Sequence, residues 1–583
     1  MSSLPVAAVL PELLAALDGA PQVLLSAPTG AGKSTWLPLQ LLAHPGINGN
    51  IILLEPRRLA ARNVAQRLAE LLNEKPGDTV GYRMRAQNCI GPNTRLEVVT
   101  EGVLTRMIQR DPELSGVGLV ILDEFHERSL QADLALALLL DVQQGLRDDL
   151  KLLIMSATLD NDRLQQMLPE APVVISEGRS FPVERRYLPL LAHQRFDEAV
   201  AVATAELLHQ ESGSLLLFLP GVGEIQRVQE QLASRIGSDV LLCPLYGALS
   251  LNDQRKAILP APEGMRKVVL ATNIAETSLT IEGIRLVVDC AQERVARFEP
   301  RTGLTRLITQ RVSQSSMTQR AGRAGRLEPG ICLHLIAKEQ AERASAQSEP
   351  EILQSDLSGL LMELLQWGCS DPTQMSWLDQ PPAVNLQAAK RLLRMLGAMD
   401  GERLSTKGQK MATLGNDPRL AAMLVSARSD DEAATAAKIT AILEEPPRMG
   451  NIDLGVAFSR NQPAWQQRSQ QLLKRLNVCG GEADSSLIAP LLAGAFADRI
   501  ARRRGQEGRY QLANGMGAML DADDALSRHE WLIAPLLLQG TASPDARILL
   551  ALPVDIDELV QRCPQLVQQS DTVEWDDAQG TLK

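Results

Sequence analysis

The sequence predicts an α/β protein with two tandem parallel-sheet domains, a mainly helical third region and a mixed C-terminal region. Three observations carry this. Apolar strand-like runs alternate with helical patterns between residues 22 and 180, as in strands covered by helices on both faces. The alternation restarts at about residue 196. After about residue 346 the strand-like runs stop and apolar residues recur at helical spacing. At about 100–200 residues per domain, a chain of 583 residues is expected to hold three to five domains.

The elements follow in order. MSSLPVAAVLPELLAAL lacks a basic start and is interrupted by Pro5 and Pro11, so it reads as a short amphipathic helix rather than a signal peptide. QVLLSA, NIILLE, RLEVVT, GLVILDE and LKLLIMSAT are the strands of the first domain, with helices such as Leu59–Leu72 between them. SLLLFL, DVLLCPLY, RKVVLAT, IRLVVDC and GICLHLI are those of the second. RVARFEPRTGLTRLIT reads as a hairpin, with strands at about 294–299 and 304–309 around Gly303. LSGLLMELLQW, NLQAAKRLLRML and DEAATAAKITAILE are helical in period, and GAMDGERLSTKGQKMA reads as a hairpin followed by a helix. From about residue 486, GRYQLANGMGAML and EWLIAPLLL read as strands around an Asn-Gly turn.

Composition narrows the class. Apolar residues at 45% and charged residues at 22% are ordinary for a soluble globular protein. Aromatics at 3% argue against a recogniser that stacks many bases. A net charge of −11 argues only weakly against a nucleic-acid partner, because a basic groove on an acidic body still attracts phosphate. Seven cysteines with no C-x-x-C pair argue against a zinc ribbon and fit a reducing compartment. No apolar run approaches the roughly 18 residues that span a membrane, so a soluble, cytoplasmic protein is expected.

The chemistry begins at residues 27–35, APTGAGKST, between a strand and a helical segment. A glycine-rich turn opening a helix aims several backbone N–H groups at one point, where the helix dipole adds positive potential. Thr29, Gly30, Ala31, Gly32, Lys33, Ser34 and Thr35 would cradle a nucleotide's phosphates, with Lys33 reaching the β/γ-phosphates and Ser34 suited to Mg²⁺. The competing reading is a glycine-rich turn that happens to carry Lys-Ser; the strand before it and helix after it weigh against that. LVILDEFHER then ends a buried strand on Asp123 and Glu124. Buried bare carboxylates are expensive. A divalent cation at the cradle would answer them, one carboxylate holding its water shell and the other taking a proton from an attacking water. Ser34, Asp123 and Glu124 are therefore the candidate metal residues. The bland alternative is an ion pair with Arg128. His126 has no second histidine at ligand spacing, so a coupling hydrogen bond is expected of it instead.

These residues resemble a family. Asp123-Glu124-Phe125-His126 is similar to the DExH signature of superfamily 2 helicases of the DEAH/RHA group. EPRRLAAR (55–62), TEGVL (100–104), SAT (156–158), FLPGVGEI (218–225), ATNIAETSLTI (271–281) and QRAGRAGR (319–326) resemble the group's further motifs, in order, and GRSFPVERRY (178–187) its linker strand. RIARRRGQEGRY (499–510) resembles the bacterial HrpB-type branch. The resemblance implies RecA-like domains at 1–180 and 181–345, a winged helix at 346–412, a helical ratchet bundle at 413–485 and a mixed, OB-like region at 486–583. Members of that branch continue into a further C-terminal domain, so an end at Lys583 is expected to be a truncation. Phe125 replaces the group's usual alanine, a packing change behind the site, and Ile258 stands where many relatives carry an adenine-stacking aromatic, which leaves nucleotide preference loose.

What the resemblance implies is an ATP-dependent RNA helicase that moves 3′→5′ on single-stranded RNA, with ATP and Mg²⁺ as cofactors. Gln319, Arg323 and Arg326 would face the triphosphate from the second domain, the arginines sharing one helix face at i and i+3. Ser156, Thr158 and His126 would pass the hydrolysis signal, although hydroxyls capping a strand end explain Ser156 and Thr158 singly as well. Arg57, Arg58, Thr100, Thr272 and Asn273 would hold the RNA backbone, since a motor stepping along any sequence must grip phosphate and sugar. The hairpin around Gly303 would act as a wedge, or else is an ordinary surface hairpin. Arg499, Arg502, Arg503 and Arg504 would contact phosphate or form a solvated or docking face. Two other functions stay open: a nucleic-acid-stimulated ATPase acting on DNA or remodelling protein–nucleic acid complexes, and a nucleotide-switched scaffold without turnover, which the complete set of catalytic residues disfavours. A monomer is expected.

Overall fold

The computed structural model describes residues 4–28, 30, 32–157, 162–178, 180–247, 249–277, 279–415, 417–447, 451–540, 543–573, 575–576 and 581–582. Its first lobe is built on β1 (Gln22–Ser26), β2 (Asn50–Leu54), β3 (Val80–Arg83), β4 (Asn88–Cys89), β5 (Leu96–Val99), β6 (Val117–Leu122), β7 (Lys151–Ser156) and β8 (Val173–Ile175). They form one sheet in the order β4-β3-β5-β2-β6-β7-β1-β8. All neighbours are parallel except β4 on β3. Every residue of β6 is buried, which is why its sequence is continuously apolar rather than alternating. Val23, Leu25, Ile51, Leu53, Leu119 and Ile121 share one face's core with Leu13 and Leu17 of the N-terminal helix Leu10–Gly19.

The second lobe contains β9 (Val183–Tyr187), β10 (Ser214–Phe218), β11 (Val240–Leu245), β12 (Arg266–Ala271) and β13 (Ile284–Asp289). After these come the hairpin strands β14 (Gln292–Glu299) and β15 (Leu304–Arg311), then β16 (Gly330–His334). The lobe's sheet runs β11-β12-β10-β13-β16-β9, all parallel. The segment between the lobes is thus itself an edge strand of lobe two. In both lobes parallel strands end at a common edge, where open α/β sheets place their ligands.

The ten strand runs read from the sequence all form. Sequence reading passed over β3, β4 and β8. Each has four residues or fewer, lies at or near a sheet edge and has accessible positions, β4 having no buried residue at all, so none shows a long apolar run.

The described chain divides into two compact units. One comprises 1–297, 307–355 and 371–385, which hold the sheets of both lobes; the other comprises 298–306, with the tip of the β14–β15 hairpin, 356–370 and 386–583. The second unit holds the helices Ser358–Trp367, Thr406–Leu414, Pro418–Val425, Asp430–Glu444 and Pro463–Arg475. It also holds β17 (Met399–Asp400), β18 (Arg403–Leu404), β19 (Ile500–Arg503), β20 (Arg509–Leu512), β21 (Gly517–Met519), β22 (Trp531–Gln539) and β23 (Ala546–Pro553). β22-β19-β20-β21-β23 closes on itself through β22–β23, a five-strand ring of the OB-like kind. Gly515 at the Asn-Gly turn has φ +89, a conformation that favours glycine. Among the described residues no helix is long and apolar enough to cross a membrane.

Candidate functional site

β1 delivers the glycine-rich turn to the sheet edge, and the Ala27 N–H donates to the Ser156 carbonyl at 2.9 Å, fixing the turn's entrance to β7. Gly30 and Gly32 have φ +85 and +94, the left-handed region where a side chain is strained. The Trp36 and Leu37 N–H groups both donate to the Gly32 carbonyl, at 3.2 and 3.0 Å. Residues 33–36 therefore wind as a turn, and the helix proper is Leu37–Leu42, slightly later than a helix directly behind the glycines. Lys33 is buried, while Ser34 and Thr35 are half-buried on this turn. Thr29 and Ala31 lie outside the described residues.

Lys33 Nζ sits 3.0 Å from Glu124 Oε1 and 3.6 Å from Asp123 Oδ1. Burial works against its charge, but Glu124 and then Asp123 outweigh it and raise the ammonium's pKa above the ordinary value. Burial likewise opposes the Glu124 carboxylate, yet Lys33 and His126 bring its pKa below the usual range, so it is ionised at neutral pH. The Asp123 N–H donates to Leu54 O at 3.1 Å, and the Glu124 N–H to Asp123 Oδ1 at 2.8 Å. Glu124 has φ 54, a left-handed conformation that costs about 1–3 kcal/mol for a residue with a side chain and that clusters at functional sites. Phe125, which follows them, is 1% exposed. Arg128 binds Asp133 and Asp379, at 2.8 and 2.9 Å, so the structural ion pair considered for Asp123 and Glu124 does not form.

Glu55 was not anticipated. It is buried at the end of β2, one residue beyond a pair in register with β6, and within hydrogen-bonding reach of Asp123. Burial, then Asp123, push its pKa well above the usual carboxylate range. The signal was present: NIILLE ends an apolar strand on a carboxylate just as GLVILDE does.

His126 Nδ1 accepts the Ala157 N–H at 3.1 Å. The ring proton must then lie on Nε2, which is 3.3 Å from Glu124 Oε2. Glu124, His126 and Glu127 bring ligand atoms within 4.8 Å of one another, but metal ligation through Nε2 would put a proton against the Ala157 N–H. The tautomer ties the end of β7 to Glu124 and agrees with a coupling role. Ser156 is buried beside it; Thr158 lies outside the described residues.

The second lobe presents Gln319 on the helix Gln314–Gly322. Arg323 and Arg326 do not share an α-helical face as expected. Arg323 opens a 3₁₀ turn, Arg323–Gly325, and Arg326 follows it. Residues three apart eclipse in that geometry, so the two still project together. Arg323 is 5% exposed. Its Nε donates to the Glu276 carbonyl at 2.7 Å, while Nη1 and Nη2 have no partner. Burial first, then Arg326, lower its pKa to about 9 against the pull of Glu124. The Arg326 guanidinium lies against Gly30, where any Cβ would collide with it. The two lobes thus meet across the glycine turn.

Thr277 Oγ1 of lobe two donates to Glu127 Oε1 of lobe one at 3.0 Å, and Glu127 Oε2 is 3.8 Å from Arg57 Nε. A cavity of about 280 Å³ behind this bridge is lined by Arg57, His126, Ser156, Asn273, Gln319 and Glu351, among others. Arg58 and Asn273 are exposed and Thr272 is half-buried, but Thr100 is only 5% exposed. The basic cluster divides. Arg499 turns inward, its pKa lowered to about 10 by burial and by Arg419, whereas Arg502, Arg503 and Arg504 are exposed and Arg502 lies over the Trp531 ring at 5.4 Å.

Comparison with known proteins agrees with this architecture. The model of the DEAD/DEAH box helicase family matches residues 7–167, and that of the helicase conserved C-terminal domain matches 198–328. The chain is 95% identical over 583 residues to the ATP-dependent RNA helicase HrpB of Escherichia coli strain K12, covering all of this chain and 72% of that protein. It is 34% identical over 489 residues to the ATP-dependent RNA helicase HrpA of the same organism, covering 82% of this chain and 37% of that one. A crystal structure described as the E. coli DEAH/RHA helicase HrpB superposes with a TM-score of 0.96 at 92% identity, covering all of this chain and 74% of that one. Another, of the E. coli DExH-box NTPase HrpB, gives 0.94 at 95% identity, covering all of this chain and 72% of that one.

Proposed function

The chain belongs to the HrpB-type branch of the DEAH/RHA helicases, and on that premise we propose that it is an ATP-dependent RNA helicase. It hydrolyses ATP at the seam of its two lobes and couples this to 3′→5′ movement along single-stranded RNA. One observation carries the site: the buried Arg323 has two unpartnered donors, and it stands across the seam from Lys33 and Glu124. A buried guanidinium left half-satisfied calls for an anion, and a γ-phosphate on the glycine turn is one.

The residues fit a divalent ion, because the buried carboxylates of Asp123 and Glu124 stand together at the cradle, Asp123 Oδ2 accepting no hydrogen bond and Glu124 Oε2 facing only His126 Nε2 at 3.3 Å. Ser34, Asp123 and Glu124 would hold Mg²⁺, which neutralises charge on the phosphate oxygens when bound. Lys33 moves from its carboxylates to the β/γ-phosphates. Glu124, ionised and held in its strained turn, takes the proton of the attacking water. Gln319 orients that water. Arg323 and Arg326 stabilise charge that develops on the phosphoryl group, a contribution of about 10³-fold or more for a finger supplied in cis. His126 and Ser156 pass the change in Glu124 towards the cavity, and Thr158 is placed with them by its motif. Arg57, Arg58, Thr272 and Asn273 grip the RNA backbone there. Thr100, being buried, contributes through its main chain or by positioning these neighbours.

The test is ATPase activity titrated with poly-A RNA, with DNA of matched length and with neither. RNA stimulation well above that by DNA is expected; equal stimulation would overturn the RNA assignment while leaving the ATPase reading intact.

A further inference from the structure

Lobe two contains a second buried ionic cluster that the hydrolysis steps above do not use. His334, at the end of β16, is 0% exposed, as is Asp289 at the end of β13. His334 Nδ1 lies 2.7 Å from Asp289 Oδ2. Its Nε2 accepts the Arg185 Nε–H at 2.9 Å. Arginine has no acceptor, so Nε2 must offer its lone pair and Nδ1–H must donate to Asp289. The ring is held in one tautomer from both sides, and Tyr187 stacks on it at 5.2 Å.

From Asp289 the contacts lead to the seam. Asp289 Oδ1 accepts Arg320 Nη1–H at 2.8 Å. Arg320 is itself buried, lies over the Phe218 ring at 4.9 Å and donates through Nε to Glu276 Oε1 at 3.0 Å. The Glu276 carbonyl then accepts Arg323 Nε–H, the one hydrogen bond recorded for that guanidinium among the described residues. The near end is equally placed. Arg185 lies on β9, the strand between the lobes, and its Nη1 also donates to Thr318 Oγ1 at 3.3 Å, beside Gln319.

We infer that His334 and Asp289 are positioning residues for the Arg323 finger, joining it through Arg320 and Glu276 to Arg185 on the inter-lobe strand. This rests on the reading of Arg323 as a finger. Fold stability alone does not account for the cluster, since buried ion pairs replaced by apolar residues are often neutral or stabilising. A relay does account for a run of single-tautomer, charge-assisted contacts that ends on a guanidinium with nothing else to orient it. β9 opens directly from the segment joining the lobes, so the relay places that segment's first strand in contact with the finger.

The test reads transition-state geometry separately from binding. Binding of ADP with aluminium fluoride mimics the transferring phosphoryl group, whereas ADP alone does not need the finger. His334→Phe removes both hydrogen bonds; His334→Gln keeps one N–H and one acceptor. Arg185→Ala alters an exposed residue and should leave the core folded. We expect His334→Phe and Arg185→Ala to lower kcat and ADP–aluminium fluoride affinity by about 10-fold each, within the range for misaligned catalytic groups. ADP affinity and the KM for ATP should stay within about twofold, and His334→Gln should recover most of the loss. Unchanged kcat and analogue affinity in Arg185→Ala, or His334→Gln as impaired as His334→Phe, overturns the relay. Arg323→Ala is the control: if it keeps analogue affinity the finger reading fails, and if it loses it while the relay variants do not, only the relay fails.

Discussion

The two lobes share a parallel sheet with chemistry at the same edge, yet they treat buried charge in opposite ways. Lobe one pairs its buried cations with carboxylates, Lys33 with Glu124 and Asp123, and Arg128 with Asp133 and Asp379, although single carboxylate oxygens at the cradle stay without hydrogen bonds. Lobe two pairs Arg320 with Glu276 and Asp289 but gives Arg323 no carboxylate and leaves it with two bare donors. A group that is paired at home can bind and wait. A group left unpaired acts only on what is brought to it. Binding should therefore reside mainly in lobe one, and acceleration in the seam.

The sharpest way to break that comparison is mutation on both sides. Lys33→Ala and Glu124→Gln should each lower ATP turnover by about 10³-fold or more, but only Lys33→Ala should also weaken nucleotide binding. Arg323→Ala should lower kcat by about 10²–10³-fold with ATP affinity, read with a fluorescent analogue, retained. Loss of affinity equal to that of Lys33→Ala would show that both lobes bind alike. Thr277→Val removes one hydrogen bond between the lobes, about 0.5–1.5 kcal/mol. A fall of several-fold in RNA-stimulated kcat, with basal ATPase less affected, is the expected reading.

A smaller effect separates stability from catalysis within lobe one. Burial lifts Glu101 to a pKa of about 7, against the Ser129 hydroxyl that donates to it and with Glu351 and Glu127 adding to the rise. The folded chain then holds this proton more tightly than the unfolded one, in which glutamate titrates near 4.5. Stability from this group is present below pH 4.5 and is lost as pH rises to about 7. Glu101→Gln should raise Tm by about 2–4 °C at pH 8 and leave it unchanged at pH 4.5. The smallest expected change is at the basic cluster of the second unit: replacing Arg502, Arg503 and Arg504 by alanine should reduce the salt slope of RNA binding by no more than about three, while Arg499→Ala should act on Tm.

Much of this site was legible in advance because its parts are local. APTGAGKST carries its own turn, and two carboxylates after VIL announce a charged strand end. Glu55 escaped because a lone glutamate before Pro56 looks like any strand terminus until β6 places Asp123 beside it. The faces of Arg323 and Arg326 were misjudged because Gly322 and Gly325 interrupt an otherwise helical run. Arg320 and His334 gave no sign at all. Nothing in QRAGRAGR or GICLHLI says that Arg320 and His334 meet on Asp289.

By itself the sequence determined the strand order along the chain, the phosphate cradle and the family, since these depend on periodicity and on short motifs whose geometry is built from neighbouring residues. Only the tertiary structure decided which charges are paired with one another and which tautomer His126 and His334 adopt. Those depend on groups hundreds of residues apart meeting in a low-dielectric interior, where a single hydrogen bond decides the state of each and no local pattern records it.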